Sequence, residues 1–149
     1  AIPTPPAVLG MVCRAFDPTY GEGEFILLVG VASTVVGSVV TYNATTYQTA
    51  LSPNTANFSA PVAVAMAANT AGLFGWYQIS GQAVVKKTAV AVNPQVNIFQ
   101  SATTGRVMAT VATSKQIVNA KSANLATVAS GTSTVIVMID RPHMQGQII

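Results

Sequence analysis

An all-β fold is what this sequence predicts: an antiparallel β-sandwich or jelly-roll/barrel-like single domain, with an extended Pro-rich N-terminal arm. Three observations carry that expectation. The 149 residues include 21 Val and 17 Thr, and β-branched side chains suit a pleated sheet better than a helix. Short apolar or alternating runs recur at roughly 8–12-residue spacing between turn signals, as in sandwiches and barrels. Finally, Gly75-Trp76-Tyr77-Gln78-Ile79-Ser80 holds the only Trp and alternates with a period of two, which is the strand signature.

Residues 1–23 read as the arm. Pro3, Pro5 and Pro6 force extended or polyproline backbone and remove amide donors. Asp17-Pro18 and Tyr20-Gly21 add turn signals. The segment also carries apolar side chains that a disordered tail would not normally hold. Ile2, Pro5, Leu9, Met11, Phe16 and Tyr20 are therefore its candidate partner-binding residues. Two placements stay open for it: along another surface, or folded back on its own domain.

Residues 24–142 read as the β-domain. Glu24 to Val31 is a continuous apolar run bounded by glycine, fitting a strand buried on both faces. Strands are also expected over 35–42, 47–51 and 61–67, with Asn43-Ala44-Thr45-Thr46 as a turn and 52–60 as a polar loop. Two central strands follow, 76–80 and 83–87, separated by a turn or bulge at Gly81. Trp76 is expected to be their largest buried side chain. Alternatively, Trp76 and Tyr77 form a ligand-stacking platform. Further strands are expected over 88–92, 96–100, 107–113, 116–120 and 132–139, the last ended by Asp140-Arg141-Pro142. Residues 143–149 form a short C-terminal tail.

Charge bounds the function. Only 7% of residues are charged, against roughly 25% in typical soluble domains. So little charge predicts a surface covered by self-association or a larger assembly. The net charge of +3 comes from seven Lys and Arg, of which only Lys86 and Lys87 are adjacent and five are scattered, with no basic cluster for nucleic acid, so direct nucleic-acid binding is not expected. No run reaches the roughly 18 apolar residues of a membrane helix, and no basic region precedes an apolar one as in a secretory signal; no membrane partner is expected. Cys13 is the only cysteine, which leaves it no disulfide partner within the chain. The matches Asn43-Ala44-Thr45 and Asn57-Phe58-Ser59 to the glycosylation pattern are read as chance.

Catalytic inventory is thin. There is one histidine, His143, and four carboxylates: Asp17, Glu22, Glu24 and Asp140. Only Glu22-Gly23-Glu24 sets two of them near each other, and no nucleophile or phosphate-loop motif occurs. The expectation is a non-enzyme with no catalytic residues, no cofactor and no metal.

The run Gly75-Trp76-Tyr77-Gln78-Ile79-Ser80-Gly81-Gln82-Ala83-Val84-Val85-Lys86 resembles a Gly-Trp-x-Gln-x-x-Gly-x-Ala-x-Val-Lys pattern of small phage head proteins. The ending Val135-Ile136-Val137-Met138-Ile139-Asp140-Arg141-Pro142 is similar in style to theirs. On these residues, which cover the C-terminal half, the chain resembles the small capsid decoration, or cement, proteins of tailed bacteriophages. That resemblance implies a β-domain on the outer surface of the virion's capsid, bound to the major capsid protein and stabilising contacts between capsomers. It also implies self-association, as a homotrimer or homodimer. Other structural β-subunits (fibre, tail or pilus type) and a carbohydrate-binding β-sandwich are the alternatives.

Overall fold

The computed structural model describes residues 1–147, and they contain ten strands and no helix. These are β1 Val12–Asp17, β2 Gly21–Val29, β3 Val39–Tyr42, β4 Thr49–Leu51, β5 Val62–Ala65, β6 Phe74–Lys86, β7 Asn97–Gln100, β8 Val107–Met108, β9 Gln116–Ser122 and β10 Thr134–Met144. Every strand ladder is antiparallel. The main path runs β4-β3-β5-β6-β10-β9-β7-β8, and β1 joins through β2, which also pairs with β6. The all-β fold is thus as expected, built as one sheet curled into a half-barrel.

Curling gives the sheet two cores. Val39, Val62, Val64, Ala83, Val85, Ile98, Ile117, Val135, Val137 and Ile139 pack in the larger one. Ile26, Leu28, Val40, Ala63, Ala65, Tyr77 and Ile79 pack in the smaller. β3 and β5 lie between them, with alternate residues entering opposite cores. That explains why Val62-Ala63-Val64-Ala65 is apolar throughout instead of alternating with polar residues.

The predicted central strand pair is a single 13-residue strand, β6. It pairs with β2 over Phe74 to Ser80 and with β10 over Ser80 to Lys86. Gly81 is where the partners change. It has φ +97°, and the β2 register slips beside it, between Glu24 and Phe25. Buried Gln78 supports the irregularity: its Nε2 donates to the carbonyls of Ser80 and Gln82, both at 3.0 Å. The chain therefore passes Gly81 as a bulge and does not turn back. Trp76 corrects a second expectation. It is half-buried, while Tyr77 is 1% exposed and is the largest fully buried side chain.

Other boundaries shift for local reasons. Asp140-Arg141-Pro142 does not end β10; it forms a bulge, with Arg141 at φ +46°. Between the pairs Ile139–Ala120 and His143–Val118 the chain takes four steps along β10 against two along β9. A bulge is a place in a ladder where proline's missing N–H is tolerated. Hence His143 and Met144, expected in the tail, belong to the sheet, and Gln145 and Gly146 donate backbone hydrogen bonds to Gln116 and Phe58. Ile148 and Ile149, also placed in that tail, lie outside the described residues. Residues 35–38 turn instead of extending, held by Ser38 Oγ on the Val35 amide at 3.1 Å and Gly37 at φ +81°.

Residues 88–92 form a loop, not a strand. Its cause is Lys87, 1% exposed, whose ammonium donates to the carbonyls of Val90 (2.9 Å), Thr88 (3.2 Å) and Ser130 (3.3 Å). All three donors are used, and two loops are fastened together. Burial lowers this ammonium's pKa from its ordinary 10.5. Lys87→Met is expected to cost about 1–3 kcal/mol, because carbonyls are left unpaired. The unfolded chain holds the Lys87 proton more tightly than the folded one. Burying the charge therefore carries a cost that is relieved as pH rises from the lowered range toward 10.5 and returns as pH falls, set against the hydrogen bonds the group donates. Denaturant titrations of both proteins at neutral and alkaline pH check this. A variant as stable as the parent would show that the ammonium does not hold these loops.

Candidate functional site

The N-terminal segment is the candidate docking surface, and it differs from an extended arm. Residues 12–17 form β1, which makes a hairpin with β2 in the register Val12–Ile26, Arg14–Glu24 and Phe16–Glu22. The turn follows from its residues. Asp17 Oδ1 accepts the amides of Thr19 (2.7 Å) and Tyr20 (3.0 Å), and Gly21 closes it at φ +81°. Pro18 fixes its own φ within that turn. Upstream, Ile2 and Phe74 exchange two backbone hydrogen bonds of 2.8 Å. Gly10 donates to Leu27 and lies so close to Tyr47 that a Cβ would stand 2.2 Å from the ring. Of the two placements, the backbone takes the one on its own domain.

The side chains do not all follow the backbone inward. Val8 is 80% exposed, Phe16 75% and Met11 50%. Of the predicted partner residues, Pro5, Met11 and Phe16 are exposed, and Ile2, Leu9 and Tyr20 are half-buried. Phe16 and Tyr20 come together with Phe25 and Met66 around a hollow of about 210 Å³. Ile2 is not part of that group: it is tied to Phe74, at the other end of β2. Sequence reasoning missed Met66, 44% exposed, because it continues an apolar run that reads as buried.

Charge gathers beside the hairpin. Glu24 accepts from Arg14 Nε at 3.3 Å and from Arg141 Nη2 at 3.0 Å, while Glu22 lies 3.6 Å from Arg14. Both carboxylates thus serve arginines. Exposed pairs of this kind stabilise by at most about 1 kcal/mol each, so their effect is to orient the hairpin and the β10 bulge.

Chemistry elsewhere is structural. Among the described residues no three of His, Cys, Asp and Glu gather as a metal site. Tyr77 cannot join Trp76 in a stacking platform, since it faces the smaller core and its hydroxyl accepts from Asn69 Nδ2 at 3.0 Å. Burial raises the pKa of Tyr77, with that hydrogen bond opposing the shift, and burial likewise raises Tyr42. An open groove of about 580 Å³ runs between Tyr42, Asn43, Gln48 and Phe58. The Gln48 amide already donates to Gly30 and Thr49, and Asn43 Oδ1 already caps its own turn. Compared with known proteins, the chain matches no family model, no curated protein and no solved structure.

Proposed function

We propose that this chain is a non-enzymatic structural subunit of a virus particle. In this reading it decorates the outer surface of a tailed-phage head, binds the major capsid protein and strengthens contacts between capsomers. The observation that carries the reading is the set of apolar side chains, Val8, Met11 and Phe16, held outward on a hydrogen-bonded backbone. Three exposed apolar side chains within nine residues of one segment are what an interaction surface would use. Their backbone is already ordered, so docking costs less conformational entropy than ordering a loose arm would. The low charge of the whole chain supports the same reading.

The test is co-sedimentation with phage shells assembled without the protein, comparing the parent chain with the double variant Val8→Asp, Met11→Asp. Burying an apolar side chain contributes about 1.5–3 kcal/mol, so the pair should weaken shell binding by a hundredfold or more. Its melting temperature should stay near the parent's, because both side chains are exposed. Point changes are preferable to truncation, which would remove β1 itself. Undiminished binding by the double variant would end the assignment of this surface, and failure of the parent to bind shells would end the decoration reading.

A further inference from the structure

Three strands end this sheet: β4 with three residues, β8 with two and β1 with six. Short edges resist pairing with other chains, whereas a long flat one invites it. Among the described residues β1 pairs only with β2, and it contains neither Pro nor Lys. Its backbone alternation is fixed at the start, where the Leu27 amide donates to the Met11 carbonyl at 3.0 Å. Cys13, Ala15 and Asp17 therefore turn their backbone groups toward β2, and Val12, Arg14 and Phe16 turn theirs to the free side.

Resting on the reading of the chain as an assembly subunit, we propose that β1 pairs antiparallel with β1 of a second copy about a two-fold axis at Arg14. One sheet then runs β2-β1-β1-β2 across the dimer. Of the registers that join outward-facing groups, this one engages all three residues; a shift of two leaves only two engaged. It sets Val12, 38% exposed, beside Phe16 of the second copy, 75% exposed, and does so twice. Cross-strand apolar pairs of this kind stabilise a sheet. The two arginines meet at the axis, each already flanked by its own Glu22 and Glu24. Counting Arg141, which shares Glu24, four carboxylates stand against four guanidiniums across the dimer, so the charge around the axis is balanced. The contact is thus self-complementary, as a two-fold interface requires.

The native cysteine makes the register testable. Cys13 would face Ala15 of the second copy in a non-hydrogen-bonded pair, with Cα atoms about 4.5 Å apart, within disulfide range. Ala15→Cys, mildly oxidised, should run mainly as a covalent dimer without reductant, and peptide mass mapping should join position 13 to position 15. Arg14→Pro should keep its fold, because the lost N–H faces the free side and the lost pairs with Glu22 and Glu24 contribute at most about 1 kcal/mol each, and should sediment as a monomer where the parent is a dimer at micromolar concentration. A parent that sediments as a monomer and an Ala15→Cys variant that forms no 13–15 link would overturn the proposal. Cross-linking of position 15 to a shell protein instead would overturn it too. The decoration reading fails separately: a monomer that still binds shells sinks only the dimer, and a dimer that ignores shells sinks only the decoration.

Discussion

Replacing Tyr77 with alanine is expected to remove about 3–5 kcal/mol of stability, a large part of a marginal domain's total. The ring is 1% exposed and packs in the smaller core with Ile26, Leu28, Val40 and Ile79. Across the ladder stands Ala65, too small to collapse into the vacated space. The hydroxyl adds to the cost. Asn69, itself buried, sits where Gly30 and Gly75 leave room: a Cβ at Gly30 would stand 2.4 Å from its side chain, and one at Gly75 3.0 Å. Without Tyr77 the Asn69 Nδ2 loses its partner. Tyr77→Phe isolates that loss, expected at about 1–3 kcal/mol. Trp76→Ala should cost less than Tyr77→Ala, because Trp76 is only half-buried. Equilibrium denaturation of the three variants decides the order, and a Trp76→Ala cost above that of Tyr77→Ala would reverse the assignment of the inner face.

The second large effect is expected at Gly81. A Cβ there would lie 2.6 Å from the Glu22 carbonyl and 3.1 Å from the Gly23 Cα, both backbone atoms. Left-handed backbone alone costs an L-residue about 1–2 kcal/mol. Here β2 would also have to shift where β6 changes partners. Gly81→Ala should therefore cost about 3 kcal/mol or more, or abolish soluble expression. Gly72→Ala is the control: its φ is +76°, yet nothing lies within 4 Å of its Cβ position. Equal destabilisation of the two would show that conformation, not crowding at the β2–β6 crossing, sets the cost.

Which of these features could be read from sequence depends on what each residue faces. Strands in the cores were legible: the apolar runs of β2, β5 and β10 and the alternation of β6 follow from burial. Period two separates Trp76 from Tyr77 but does not say which face is inner. Size favours Trp, and only the alanines of β5 reserve space for Tyr77. β1 was illegible because its residues are exposed or half-buried, so burial imposes no pattern on Val-Cys-Arg-Ala-Phe-Asp. The turn signals at Asp17-Pro18 and Tyr20-Gly21 mark its end, yet the prolines before them lead to the expectation of an extended arm and not of a hairpin. In 88–92 a β-rich composition lost to one ammonium and its carbonyls. The candidate surface was half legible: apolar residues beside prolines pointed to the right segment, whereas Met66 reached it through the fold.

The connectivity of β6 also governs when this chain can fold. Phe74 ties Val29 and Ile2 to a strand made 45 and 72 residues later, and Val85 then waits for Val135. On the ribosome, the β1–β2 hairpin can form early, but its inner edge stays open until β6 emerges. β6 in turn lacks its β10 ladder until about fifty more residues have been made. Pairings this distant in sequence close slowly, and nascent sheet edges are exposed to association meanwhile. The sheet therefore closes only after β10 has left the ribosome.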